Sequence, residues 1–208
     1  MRTAVKKNAR RQELLEQIYP MIDQVGYESL TVRGICTSLG ISTGTFYHYF
    51  PEKADLLLAF FAGIDDFYQQ EVLPRFGPDE AANLDRFIHS YGVYCQRVGA
   101  GVCRCLTSAP AHDSKRNYLS ESRPISQILE ELMIRGAASG RFTCPFPPEQ
   151  CARMVMISVR GHGSDWAKRG GEYNLIRSLD DYALLLRIAL GCRPVSYTHL
   201  TLPTNSRV

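Results

Sequence analysis

Apolar residues recur at helical spacing along almost the whole chain, and this period restricts the fold more than any other feature. Leu14, Ile18, Ile22 and Val25 share one face of a first helix, which Gly26 is placed to end. The same period indicates further helices at about 31–39, 42–48, 51–64, 79–99, 102–109, 149–168 and 175–190, and one that runs from about 114 or 122 to 138. No useful length of strand-like alternation occurs, so the sequence predicts an all-α fold of about nine helices.

Composition is consistent with a folded globular chain. The 208 residues include 22% charged and 45% hydrophobic side chains, which excludes bulk disorder. The net charge of +3, from 24 Lys+Arg against 21 Asp+Glu, neither marks nor excludes a nucleic-acid-binding protein. Whether the chain binds nucleic acid must therefore be judged from where the charges lie along the sequence.

Cysteine usage and the chain ends predict a cytoplasmic protein. Seven cysteines at irregular spacing do not form a disulfide framework. The basic N-terminus lacks the apolar stretch of a signal peptide, and the longest apolar run, Leu56–Ile64, is too short to span a membrane. Residues 194–208 have no helical period and resemble translated adapter or vector sequence, so we treat them as a non-native tail.

Residues 31–57 carry the pattern of a helix-turn-helix. Two short helices, each with a hydroxyl N-cap at Thr31 or Ser42, flank the tight turn Leu-Gly-Ile-Ser at 39–42. The second helix begins with the small residues Thr43–Thr45, which allow a helix to lie deep in a DNA major groove. Its N-terminal N–H groups and dipole favour phosphate.

The strings GYxxLTVxxI at 26–35 and GISxGTFYHYFxxK at 40–53 resemble the DNA-binding domain of the tetracycline-repressor (TetR) family, over about residues 14–57. This resemblance implies a DNA-binding domain over 1–52 and a larger helical ligand-binding and dimerisation domain over 53–193. The implied protein is a transcriptional regulator rather than an enzyme. Its implied partners are double-stranded operator DNA, a small-molecule effector and a second copy of the chain, with no membrane, metal or cofactor.

The resemblance also assigns DNA contacts to nine residues: Thr31, Arg33, Ser42, Thr43, Gly44, Thr45, Tyr47, His48 and Lys53. The segment Thr43–Thr45 approaches base edges, and Lys53 contacts a phosphate as a point charge. Phe46 and Phe50 are predicted to be core residues instead. The basic segment 2–11 is either a solvated tail or a contact to the DNA backbone or minor groove.

Polar and aromatic residues in the C-terminal part are candidates for an effector pocket. They are Tyr91, Tyr94, Arg104, His112, Arg160, His162 and Trp166, although each is equally suited to ordinary core packing. Cys95, Cys103 and Cys105 offer an alternative signal, thiol oxidation, or are simply buried thiols. Their spacing fits no zinc pattern.

The last two helices, about 149–169 and 174–191, are the predicted dimer interface. Six residues supply apolar surface there: Ile176, Leu179, Leu184, Leu185, Ile188 and Leu190. The alternative is that they only close the core. An effector that favours one spacing of the two recognition helices would change operator affinity. The helix after Pro51 joins the two domains and is predicted to transmit this change.

Overall fold

The computed structural model describes residues 2–108 and 120–192, and within these ranges the chain is all-α, as predicted. The helices are α1 (Arg2–Val25), α2 (Val32–Leu39), α3 (Thr43–Tyr49), α4 (Asp55–Phe67), α5 (Glu80–Val98), α6 (Ala100–Ser108), α7 (Pro124–Ala138), α8 (Pro148–Lys168) and α9 (Leu175–Ala189). A π-helical turn, Tyr68–Val72, and a 3-10 turn, Leu73–Arg75, extend α4. His112 and the tail 194–208 lie outside the described residues.

Local capping signals define α2 and α3 as the sequence predicts. The Thr31 hydroxyl accepts a hydrogen bond from the Gly34 N–H at 3.0 Å, and the Ser42 hydroxyl accepts one from the Thr45 N–H at 3.0 Å. Gly40 has a φ of 63°, the left-handed conformation that ends a helix with little strain in a residue without a Cβ. The helix-turn-helix is therefore specified by its own sequence.

One predicted helix start is wrong, and the first helix, for which the apolar period gave no start, begins at Arg2. The basic segment 2–11 is therefore helical. The fourth helix begins at Asp55 and not at Pro51, because Phe50 leaves α3 in an extended conformation, as a residue before proline prefers. The Asp55 carboxylate then accepts the Glu52 N–H at 2.8 Å and holds a turn over 51–54.

One buried apolar cluster runs through both the helix-turn-helix and the C-terminal helices. α5 packs on α7 and α9, α7 packs on α8, and α6 lies between α8 and α1. Across the two parts, the hydroxyl of the buried Tyr19 on α1 donates to the Leu56 carbonyl of α4 at 3.3 Å. None of the helices in the described ranges is long and apolar enough to cross a membrane.

Candidate DNA-contact surface and ligand cavity

The exposed face of α3 is the candidate recognition surface. Thr43–Thr45 and His48 are exposed, and Tyr47 keeps 50% of its surface accessible. Phe46 and Phe50 are fully buried, which confirms their predicted place in the core. The aromatic residues of one short helix are thus divided between a buried anchor face and a solvent face.

The hydroxyl groups at the start of α3 are held in place by hydrogen bonds within the helix terminus. Ser42 Oγ lies 2.9 Å from Thr45 Oγ1 and also caps the helix, so Ser42 acts first as a capping residue. Thr31 caps α2 in the same way, and Arg33, two residues further on, is exposed. The first-turn N–H groups and these side chains therefore lie together on the solvent side of α2 and α3.

The Lys53 side chain, which is predicted to contact a DNA phosphate, already makes contacts within the protein. Its Nζ donates to the Tyr27 carbonyl at 2.6 Å and lies 4.1 Å from the centre of the Tyr27 ring. These contacts fasten the segment before α4 to the loop between α1 and α2. Its predicted phosphate contact stays a prediction, and the structure adds a positioning role.

The basic residues of α1 are partly engaged within the protein. Arg10 pairs with Glu13 at 2.7 Å, and the Arg11 guanidinium lies 5.3 Å from the centre of the Phe50 ring. Lys7 is exposed. The positive charge of this segment is consequently displayed along a helix that continues into the core of the helix-turn-helix.

A second attachment joins α1 to the start of α6. The Asp23 carboxylate of α1 accepts a hydrogen bond from the Gly101 N–H in the first turn of α6, where a carboxylate also meets the positive end of the helix dipole. A Cβ on Gly99 or Gly101 would collide with Asp23. The approach of the two helices thus depends on these two glycines.

A cavity of about 360 Å³ lies between α4, α5, α6 and α8. Its lining residues are Phe60, Phe61, Tyr91, Cys95, Cys103, Leu106, Arg160, Gly161, Gly163 and Ser164. Tyr91 and Arg160 are the two predicted pocket residues that line it. Phe60, Phe61 and Leu106 were identifiable from sequence only as members of apolar stripes.

The other predicted pocket residues in the described ranges do not line this cavity. Tyr94 donates from its hydroxyl to the Phe60 carbonyl at 3.2 Å and borders a groove against α1 instead. His162 lies two residues from Arg160, on another face of α8, where its ring packs 5.1 Å from the Tyr182 ring. Trp166 donates to the Tyr173 carbonyl at 2.9 Å, and Arg104 is exposed.

Cys95 and Cys103 line the cavity, and Cys105 lies on the same helix as Cys103. Burial raises the pKa of the Cys95 thiol well above its usual range, and burial also raises the pKa of Cys105. Cys103 Sγ donates to the Cys95 carbonyl at 3.9 Å. A raised pKa keeps a thiol protonated and slows its oxidation. In the described part of the chain, no three His, Cys, Asp or Glu side chains cluster as a metal site would require.

An exposed apolar face lies on α8 and α9. Its members are Met154, Ile157, Leu184, Leu185 and Ile188, with exposed fractions of 49–66%. Leu179 and Leu190 from the same predicted set are buried, and Ile176 is half-buried. The two helices therefore both close the core and leave apolar side chains exposed to solvent.

Comparison with known proteins agrees with this architecture. Residues 14–60 match the family model described as bacterial regulatory proteins, tetR family. The chain is 28% identical over 171 residues to the HTH-type transcriptional repressor AcnR of Corynebacterium diphtheriae, covering 82% of this chain and 88% of AcnR. It is 26% identical over 198 residues to the nucleoid occlusion factor SlmA of Vibrio campbellii, covering 87% of this chain and 95% of SlmA.

A third relative, the HTH-type transcriptional regulator HbdR of an Aromatoleum species, is 25% identical over 140 residues, which span 65% of this chain and 61% of HbdR. Among solved structures, the fatty acid degradation regulator FadR of Bacillus halodurans superposes with a TM-score of 0.68 at 17% identity, covering 84% and 96% of the two chains. FadR of Bacillus subtilis, in complex with stearoyl-CoA, gives a TM-score of 0.62 with the same identity and coverage. Together with the helix-turn-helix geometry, the match over residues 14–60 shows that this part of the chain is a DNA-binding domain of the tetR family of bacterial regulatory proteins.

Proposed function

We propose that this regulator is a repressor that binds a palindromic operator as a homodimer and leaves it when a small molecule fills the cavity between α4, α5, α6 and α8. The observation that carries the proposal is the direct attachment of two cavity walls to the DNA-binding part. Asp23 holds the start of α6, and Tyr19 and Lys53 hold α4 and the segment before it.

The exposed residues of α3 supply the DNA-reading surface. One recognition helix reads only a few base pairs, so two helices about 34–36 Å apart are needed to read a palindrome in successive major grooves. The exposed apolar face of α8 and α9 is the surface that we assign to the second copy. A symmetric contact there would fix the spacing of the two α3 helices.

Release of DNA would follow from a shift between two conformations. A ligand that prefers the conformation with the wrong α3 spacing lowers operator affinity, whereas equal affinity for both conformations changes nothing. Phe60 and Phe61 lie on α4, and Cys103 and Leu106 lie on α6. A ligand in contact with them touches both attached helices.

The named relatives are consistent with this proposal. AcnR is named as a repressor, and a structure of Bacillus subtilis FadR contains stearoyl-CoA. The alternative signal, oxidation of Cys95, Cys103 or Cys105, is less well supported because burial raises the pKa of Cys95 and Cys105. Operator binding with and without peroxide, in the wild type and in Cys→Ser variants, separates the two signals.

Selection from a randomised duplex pool tests the DNA-binding function. We expect enrichment of a palindrome, whose affinity is then measured by fluorescence anisotropy for the wild type and for Tyr47→Ala. Loss of one contact to bases or phosphate should cost about 1–3 kcal/mol, at least roughly fivefold in Kd. Phe146→Ala is the matched control, because Phe146 is another aromatic residue with about half its surface exposed, at 47%, and lies outside α3.

Circular dichroism should show that both variants are folded. Failure to enrich any palindrome, or equal affinities of Tyr47→Ala and the wild type, would contradict the assignment of α3 as the recognition helix.

A further inference from the structure

Among the residues that the structure describes, Arg160 is the only charged one that lines the 360 Å³ cavity. It lies on α8, its side chain is half-buried, and its Nη2 atom is fully buried without a hydrogen-bond partner among the described residues. A buried guanidinium nitrogen without a partner loses its hydration and gains nothing in return. This arrangement is costly for the unliganded protein.

The carboxylate near Arg160 is already committed elsewhere. Asp65 pairs with Arg123 at 3.0 Å and also accepts the Ile125 N–H at 3.2 Å. The side chains of Asp65 and Arg123 are only 15% and 12% exposed, so this pair is itself largely shielded from water. Asp65 thus faces Arg123, and its hydrogen bonds are not made to Arg160.

The rest of the cavity wall is apolar or neutral. Phe60, Phe61 and Leu106 supply hydrocarbon surface, and Ser164 supplies one hydroxyl. No Asp or Glu of residues 2–108 and 120–192 lines this cavity. An anion near Arg160 would therefore meet no like charge on the described wall.

A neighbouring cavity of about 390 Å³ between α7 and α8 also touches Arg160, but its wall includes the acidic residues Glu121, Glu130 and Glu149. Those carboxylates oppose an anion. Of the two cavities, the one against α4, α5 and α6 is therefore the better site for a negatively charged ligand.

We propose that the effector is a monocarboxylate with an apolar body, whose carboxylate pairs with Arg160 while its hydrocarbon part packs on Phe60, Phe61 and Leu106. A guanidinium matches the planar carboxylate with two parallel hydrogen bonds, and it binds a neutral alcohol less well. This inference names the ligand class for the proposed effector site and to that extent rests on the proposed function.

Direct binding without DNA tests the ligand class separately from repression. Isothermal titration calorimetry of the full chain is carried out with octanoate, octan-1-ol and octylamine, which share an alkyl chain and differ in the charge of the head group. We expect octanoate to bind at least about tenfold more tightly than either of the others, the ratio that one charge-assisted hydrogen bond supplies.

Arg160→Met is expected to remove the preference for octanoate. The same substitution should leave the melting temperature of the unliganded protein unchanged or higher, because it removes a buried guanidinium nitrogen that has no hydrogen-bond partner among the described residues and keeps a similar volume. Arg153→Met is the matched control, since Arg153 is an exposed arginine on the same helix that pairs with Glu121. It should leave the Kd for octanoate unchanged.

Equal binding of octanoate and octanol, no binding of octanoate, or undiminished octanoate binding by Arg160→Met would each overturn the proposal. The comparison of the three ligands with the wild type decides the question even if a variant fails to fold. Octanoate that binds without releasing the selected operator leaves the ligand site standing and refutes its role as an effector site. Operator binding by a protein that does not bind octanoate refutes the proposed ligand class and leaves the DNA-binding function standing.

Discussion

Replacing Gly101 with alanine is expected to weaken the attachment between the cavity wall and the DNA-binding part. The added Cβ would lie 2.5 Å from Asp23 Oδ1, 3.0 Å from Asp23 Cα and 3.2 Å from the Ile22 carbonyl oxygen. Two of these three atoms belong to the main chain of α1 and cannot rotate away. The start of α6 must therefore move away from α1.

The size of the effect follows from two opposing contributions. Overpacking of this kind costs about 1–3 kcal/mol, and alanine recovers at most about 1 kcal/mol over glycine in a helix. Because two of the close atoms are main-chain atoms, we place the cost at about 2–3 kcal/mol and expect a net loss of about 1–2 kcal/mol in the free energy of unfolding. For a chain of this size the melting temperature should then fall by roughly 2–8 °C.

Thermal unfolding followed by circular dichroism at one fixed protein concentration measures this loss. Gly77→Ala is the matched control, because a Cβ there has nothing within 4 Å and should leave stability unchanged or about 0.4–1 kcal/mol higher. Operator affinity should also change in Gly101→Ala and not in Gly77→Ala. If Gly101→Ala melts at the temperature of the wild type, the contact between α1 and α6 is not as described.

Three further predictions concern the dimer, the buried charges and the thiols. Leu185→Lys with Ile188→Lys should give a monomer in analytical ultracentrifugation with little operator affinity, and a dimer in this double variant would refute the assigned interface. Asp65→Asn should cost more than about 1 kcal/mol in denaturant unfolding, because it removes the negative charge that faces Arg123 at 3.0 Å between two largely buried side chains, and a smaller loss would contradict the pairing. Cys95 should react with a thiol-specific reagent only on unfolding, since burial raises its pKa, and rapid labelling of the native protein would revive the redox alternative.

The helix-turn-helix could be predicted from sequence because its signals are local. Thr31 and Ser42 each cap the helix that follows them by accepting the N–H of the third residue beyond. Gly40 supplies the left-handed turn between the two helices. The start of α4 could not be predicted in the same way. Pro51 suits the first turn of a helix, but the extended Phe50 and the turn closed by Asp55 place that first turn later.

The cavity and its attachment to α1 depend on distant residues. Periodicity shows which residues of α8 face inward, but it does not show which neighbouring helices leave space, so Arg160 and His162 were equally good candidates. The contact of Asp23 with Gly101 joins residues 78 positions apart and has no signature in either segment. Such features are set by tertiary packing.

The affinity of the selected operator, compared with a duplex in which two base pairs are inserted between its half-sites, tests the central claim most directly. A dimer that holds two α3 helices at a fixed distance reads half-sites about one helical turn apart, and the insertion both lengthens that spacing and rotates one half-site away. We expect the inserted duplex to bind no better than random DNA, with two chains on each unmodified operator. Equal affinity for the two duplexes would contradict operator recognition by a homodimer.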